Sequence, residues 1–221
     1  MRRRDDVSAD GGDTMGTVDA DDGVTKLLAH PDIAKLHSVL KSHKAARAES
    51  EEGVRRAAVA LIFRAGESGM PELLFIRRAD YPADPWSGQV AFPGGREETG
   101  DVNLANTAIR ETREETGLDL DHDGTVIGML DDLRPTTARL PAIIVRPYVV
   151  LLKRLQDLLL SDEVAMAFWV PLESLRQGES WRDTTVLARG VQMTRRAFHH
   201  QDQIIWGMTE RILAQLLALL E

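Results

Sequence analysis

The sequence predicts an α/β sandwich, a mixed sheet covered by helices on both sides. Two observations carry that expectation. Apolar runs of strand length, rich in Val, Ile and Leu, recur from residue 54 onward, and helical patterns stand among them without strict alternation. Regular alternation would predict an all-parallel sheet, so irregular alternation predicts a mixed one. No internal repeat is present.

Residues 1–22 are rich in Asp and Gly with almost no large apolar side chains. They have too little to bury, and disorder is expected. "VTKLLAHPDIAKLHSVLKSHKAA" then reads as amphipathic helix, with Pro31 either breaking it or opening a second helix. This helical extension, residues 23–48, leads through the polar "ARAESEEG" into a domain of residues 49–221. There "VRRAAVALIF" and "ELLFIRR" read as strands around the turn "RAGESGMP". Further strands fit "TVIGMLDDL", "AIIVRPYVVLL", "VAMAFWVPL", "DTTVLA" and "VQMTRRAF". Helices fit "NLANTAIRETREET", the short "PLESLRQG" and "TERILAQLLALL".

The 221 residues include no cysteine, which excludes disulfides, thiolate catalysis and zinc–thiolate sites. A formal net charge of -8 argues against nucleic acid as a partner. The basic start "MRRRDD" has no apolar stretch behind it, so it is not read as a signal peptide. The most apolar run, "LPAIIVRPYVVLL", is broken by Arg146 and Pro147 well short of a membrane span. A cytoplasmic protein without a membrane partner is expected, and the composition is compatible with a homodimer.

The chemistry concentrates between Gly94 and Leu118, "GGREETGDVNLANTAIRETREETGL". A helix from Asn103 to Thr116, with Asp101 or Asn103 as N-cap and Gly117 as left-handed terminator, places Glu111, Glu114 and Glu115 on one face. Ala105, Ala108, Ile109 and Thr112 form a neighbouring face suited to packing on a sheet. Each like-charge pair at this spacing costs about 0.2–0.5 kcal/mol even when solvated, and more in a cleft unless a cation is there. Mg²⁺ takes such carboxylate oxygens, and Mn²⁺ is the alternative. For any single glutamate a solvated face paired to Arg110 and Arg113 is the simpler account. The whole string R-E-x-x-E-E-x-G arises by chance only about once in ten thousand chains of this length.

That string, with the glycines before it, resembles the Nudix box, G-x5-E-x7-R-E-U-x-E-E-x-G-U. The spacing from Gly95 to Arg110 is one residue longer than usual, Asp101 stands at the first glutamate, and Thr112 replaces an aliphatic residue. "GQVAFPGG", "LLFIRR", "SDEVAMAFWVPL" and "IIWGMTERIL" resemble segments of the coenzyme A pyrophosphatase branch and together span about residues 55–219. Phe75 and Arg78 replace a Thr and a Ser of that branch, and "ADYPADPWSG" is about two residues longer and lacks its L-R-x-H.

The resemblance implies a Nudix-like α/β/α sandwich that hydrolyses the pyrophosphate of a small nucleotide-type substrate with Mg²⁺. Coenzyme A is the leading substrate; ADP-ribose, a dinucleotide or an oxidised nucleotide are alternatives. A binding module without turnover is the third reading, opposed by the retained glutamates. By position, Glu111, Glu114 and Glu115 are the implied metal ligands, joined by the Gly94 carbonyl. Glu111, Glu114 and Glu163 are the candidate catalytic carboxylates, the base being either Glu111 or one outside the box, for which Glu163 is the candidate. Arg110 is expected to orient the glutamates. Arg77 and Arg78, at a strand end leading to the glycines, and Arg134, in a loop with Arg139, are candidates to grip phosphate. Trp86 either stacks on an adenine or covers the core; Trp206, His199 and His200 are expected to be structural.

Deleting residues 1–22 is expected to change neither melting temperature nor turnover appreciably. A drop of several degrees would show that the segment docks.

Overall fold

The computed structural model describes residues 22–49, 51–82, 84, 86–135, 141–188 and 191–221. Residues 1–21, and with them the expected disorder, lie outside the described residues, as does Arg139.

Strand β1 (Arg55–Ala65) is the axis of a seven-stranded mixed sheet. It pairs in parallel with β6 (Ile143–Leu152), which pairs antiparallel with β5 (Gly124–Met129). On its other side β1 meets β2 (Pro71–Arg78) only near their connecting turn, from Phe63 opposite Leu73 to Ala65 opposite Pro71. Between their remaining halves lie two short strands. Strand β3 (Val90–Ala91) pairs with Ile76 and Arg77 of β2, and β4 (Gly94–Arg96) pairs with Ala57, Ala58 and Val59 of β1. Strand β7 (Val164–Pro171) completes the sheet along β2.

The strand period of two sorts β1 into two cores. Leu61 and Phe63 join Leu73 and Phe75 on one face, beneath helices α1 (Asp22–Ala29), α2 (Pro31–Ser42) and α6 (Met208–Ala218). Ala58, Ala60 and Ile62 face the other way, toward helix α3 (Leu104–Thr116), which contributes Leu104 and Ala108. The opposed alanines carry little bulk, so helix and sheet can approach closely. Short helix α4 (Leu120–Asp123) connects α3 to β5, and α5 (Leu172–Arg176) follows β7. A three-stranded antiparallel sheet of β8 (Trp181–Ala188), β9 (Val191–His200) and β10 (Gln203–Trp206) contributes Phe198 and Ile205 to the first core. No described helix is long and apolar enough to cross a membrane.

The expected α/β/α sandwich is observed. The segment read as an extension is built into the sandwich: Leu27, Ile33 and Leu36 are each 0% exposed. Asn103, not Asp101, caps α3, its side chain accepting from the N–H groups of Ala105 (2.8 Å) and Asn106 (3.2 Å). Gly117 ends that helix at φ 75, as expected. Thr112, the departure from an aliphatic position, is buried with its hydroxyl donating to the Ala108 carbonyl at 2.7 Å, so the polar group is satisfied. Strands β3, β4 and β10 and helix α4 span two to four residues each, too few for a periodic signal. The stretch "IIWGMTERIL" resembles a terminal helix of the family, yet only its second part is helical: residues 204–206 belong to β10, and Gly207 at φ 74 separates them from α6.

Leu36→Ala is expected to cost about 2–5 kcal/mol, because Leu36 is fully buried. Val102→Ala, at a position 87% exposed, should leave the melting curve unchanged. Equal melting temperatures for the two variants would remove α2 from the stabilising core.

Candidate active site

The backbone of β4 is the floor of the site. Gly94 has φ 146, and a Cβ there would collide with the Ala58 carbonyl, so the close approach of β4 to β1 requires glycine. A Cβ on Gly95 would collide with the Glu111 carboxylate, which lies against that residue. The two glycines thus seat β4 in the sheet and α3 on β4.

Glu115, 3% exposed, accepts the Gly94 N–H at 2.8 Å through Oε2. Burial pushes its carboxyl up to about 8; the Gly94 hydrogen bond and Arg78 oppose that rise, while Glu111 and Glu163 add to it. The Glu111 carboxyl is also raised, first by burial, although Arg110 pulls it down. Arg110 organises the helix face. Its Nη1 lies 3.1 Å from Glu111 and 3.0 Å from Glu114, while Nε and Nη2 grip Asp101 at 3.0 and 3.1 Å. Its hydrogen bonds, with further ones from the Glu98 N–H and the Thr107 hydroxyl, hold the Asp101 carboxyl well below the usual carboxylate range.

Glu163 arrives from a distant part of the chain by backbone clamps. Leu159 N–H donates to the Thr116 carbonyl at 2.9 Å and Ser161 N–H to the Glu115 carbonyl at 3.2 Å, capping the end of α3. The Glu163 carbonyl accepts from Ala79 N–H at 2.8 Å, tying the loop to the end of β2. Glu111, Glu114, Glu115 and Glu163 line one cleft of about 1030 Å³. Phe92, Ile143, Val145, Met208 and Ile212 give it an apolar wall, and Trp86 both lines it and packs on the core. Among the described residues, no three acidic or histidine side chains are drawn close enough to form a ready-made metal cage. Arg110 instead pairs with Glu111 and Glu114, and Arg78 Nη1 faces Glu115 Oε1 at 3.7 Å.

The candidate arginines separate. Arg78 lines the cleft, paired to Asp84 at 2.8 Å. Arg77 alternates to the opposite side of β2 and lines a second cleft of about 520 Å³, with Asp80 at 3.9 Å. Arg134 is bound to Glu51 at 2.9 Å and to the Glu49 carbonyl at 2.7 Å, away from the glutamates. Neither Arg77 nor Arg134 is brought to the carboxylate cleft. Trp206 is half-buried beside Arg77 instead of filling the core. His199 bonds to Thr184 and Arg182, and His200 stacks on Phe168 and Phe198. Asp84, Glu98 and Met208 also line the cleft, and none of them is a candidate site residue from the sequence.

A sandwich presenting a glutamate-bearing helix to an oxygen-rich cleft is the frame of a phosphate-handling hydrolase. Residues 53–190 match the NUDIX domain. Over 147 residues the chain is 31% identical to the uncharacterized Nudix hydrolase NudL of Yersinia pestis (strain Pestoides F), covering 66% of this chain and 71% of that protein. The NudL of Yersinia pseudotuberculosis (serotype O:1b, strain IP 31758) gives the same identity and coverage. A crystal structure of a MutT/nudix family protein from Enterococcus faecalis shares the fold, at a TM-score of 0.52 and 17% identity over 87% of this chain and 71% of that one. The chain belongs to the Nudix family, as a hydrolase that cleaves pyrophosphate bonds in small nucleotide derivatives.

The raised Glu115 carboxyl makes the metal-free protein pH-sensitive. Its folded value, about 8, lies above the ordinary 4.5, so folding is favoured fully below pH 4.5 and loses that contribution as pH rises through 8. Glu115→Gln removes the buried charge and keeps an acceptor for the Gly94 N–H. In chelator, its melting temperature should match wild type near pH 4.5 and exceed it near pH 9. The same difference at both ends would contradict the burial account.

Proposed function

We propose that this hydrolase works with Mg²⁺, or Mn²⁺ in its place, on coenzyme A or a derivative, releasing 3',5'-ADP and 4'-phosphopantetheine. One observation carries the metal-dependent part: Glu111, Glu114, Glu115 and Glu163 line a single cleft, and Glu163 adds to the raised carboxyls of both Glu111 and Glu115. Such crowding of carboxylates calls for a cation, and an all-oxygen donor set suits a hard divalent ion. Glu111, Glu114 and Glu115, with the Gly94 carbonyl, would hold it. Bound there, the ion would neutralise the pyrophosphate oxygens and acidify the attacking water. Glu163 or Glu111 would accept the proton as water adds to phosphorus and the bridging P–O bond breaks. Arg78 would meet the phosphate charge beside Glu115.

The coenzyme A assignment is supported by "GQVAFPGG" and "SDEVAMAFWVPL", which build β3, β4 and β7 and supply Gly94 and Glu163. A second reading, another nucleoside diphosphate derivative, is favoured by Arg78 and the longer loop after it, because both line the cleft. The Phe75 departure does not bear on the choice, since Phe75 is fully buried against Phe92 and Phe168.

Comparing hydrolysis of coenzyme A, ADP-ribose, dinucleotides and oxidised nucleotides tests the substrate, and a clear preference for any other than coenzyme A replaces it. Glu115→Gln and Glu111→Gln are expected to remove most turnover while the fold persists; near wild-type rates with unchanged Mg²⁺ dependence would sink the ligand assignment. Glu163→Gln should lower turnover at saturating Mg²⁺ by about tenfold or more, roughly 1.4 kcal/mol in the barrier. Its metal-free melting temperature should not fall, because one of several crowded carboxylates is gone.

A further inference from the structure

We infer that Asp84 is a positioning residue for the pyrophosphatase reaction, locking the Arg78 guanidinium on the cleft wall so that its Nη1 edge meets the substrate phosphates beside Glu115. The inference rests on the reading of Arg78 as a phosphate-gripping residue, and not on coenzyme A as the substrate.

Both carboxylate oxygens of Asp84 are engaged. Oδ2 accepts from Arg78 Nε at 2.9 Å and lies 2.8 Å from Nη2, while Oδ1 accepts the Trp86 N–H at 3.0 Å. The Asp84 side chain is 16% exposed, in a loop whose Tyr81 is 65% exposed, so the loop folds its acid inward. Further bonds close the loop: Asp84 N–H to the Tyr81 carbonyl at 2.9 Å, Ser87 N–H to the Asp84 carbonyl at 3.1 Å, and Tyr81 N–H to the Ser87 hydroxyl at 2.8 Å. Arg78 itself is anchored by its N–H to the Gln89 carbonyl at 3.0 Å. Asp84 therefore joins three things: the loop, Trp86 on the apolar wall, and the one arginine that faces the glutamates from β2.

A guanidinium is planar, and a carboxylate on its Nε/Nη2 edge fixes the plane and directs Nη1 away. Here Nη1 faces Glu115 Oε1 at 3.7 Å, beyond hydrogen-bond reach, so it keeps donors for an incoming oxyanion. Without Asp84, Glu115 is the carboxylate already beside Arg78, and the guanidinium would collapse onto it. The Asp84 carboxylate thus holds a cation close to Glu115 without letting the two neutralise each other fully. Arg78 and the lengthened loop are two of the places where this chain departs from the segments it otherwise resembles, and the Asp84–Arg78 hydrogen bond couples them.

The test measures binding of inorganic pyrophosphate by calorimetry at saturating Mg²⁺, for wild type, Asp84→Asn, Arg78→Ala and the double variant. Kinetics with the preferred substrate of wild type accompany it. Asp84→Asn keeps an acceptor for the Trp86 N–H but loses the charge on Arg78. It is expected to weaken pyrophosphate binding by about tenfold and raise KM similarly, with kcat changed less than threefold. The double variant should bind no worse than Arg78→Ala alone, because Asp84 acts through Arg78. Asp84→Glu, which keeps the charge, should recover part of the affinity and guards against a variant that fails to fold. Full, independent losses that multiply in the double variant would overturn the inference. So would Asp84→Asn with wild-type affinity and KM beside an impaired Arg78→Ala. Wild-type affinity in Arg78→Ala would overturn both this inference and the phosphate role of Arg78.

Discussion

The active-site architecture depends on the wedge between β1 and β2. Two strands that pair only near their turn leave room for a third segment, and Gly94 and Gly95 occupy it because side chains there would strike Ala58 and Glu111. The wedge gives the carboxylates of α3 a backbone floor instead of a layer of side chains. Glu115 can then be buried, since the Gly94 N–H offsets part of its desolvation. The small residues Ala58, Ala60 and Ala108 let the helix sit close above that floor.

Arg110 then distributes charge along the helix. A carboxylate on Asp101 takes one edge of its guanidinium, and Glu111 and Glu114 share the other. Aspartate is one methylene shorter than the glutamate usual at that position, and the segment before Arg110 is one residue longer. Asp101 is spent on Arg110 and not on the cleft. The carboxylates that line the cleft include those of α3, Glu163, Asp84 and Glu98.

Neither the cleft nor its depth belongs to one element. Box glutamates form one side, the loop after β2 brings Trp86 and Asp84, and Ile143 and Val145 come from β6. Helix α6 closes the apolar wall with Met208 and Ile212, and Thr209 donates to the Val90 carbonyl at 2.9 Å to fasten it over β3. Helices α1 and α2 bury their leucines in the same core, on the face opposite α3. The N-terminal helices therefore stabilise the platform beneath the site while supplying none of the residues that line it.

Local regularities were legible in the chain itself. Long strands announced themselves by period and composition, α3 by its apolar face and terminating glycine, and the site by a charge string too specific to be a solvated helix face. Each is a short-range property, written within about a dozen residues. Longer-range facts were not. Arg77 and Arg78 are adjacent and chemically alike, and only the pleat of β2 sends one to the glutamates and the other to a separate cleft. Arg134 reads as a phosphate-gripping loop residue until Glu51 and the Glu49 carbonyl, more than 80 residues away, are seen to hold it. Asp84 carried no signal because its role exists only in the bond to Arg78. The sequence alone determined which residues can bear negative charge together on one helix face. The tertiary structure decided which cations and backbone donors meet them, because those contacts depend on strand pairing and loop closure between segments far apart in the chain.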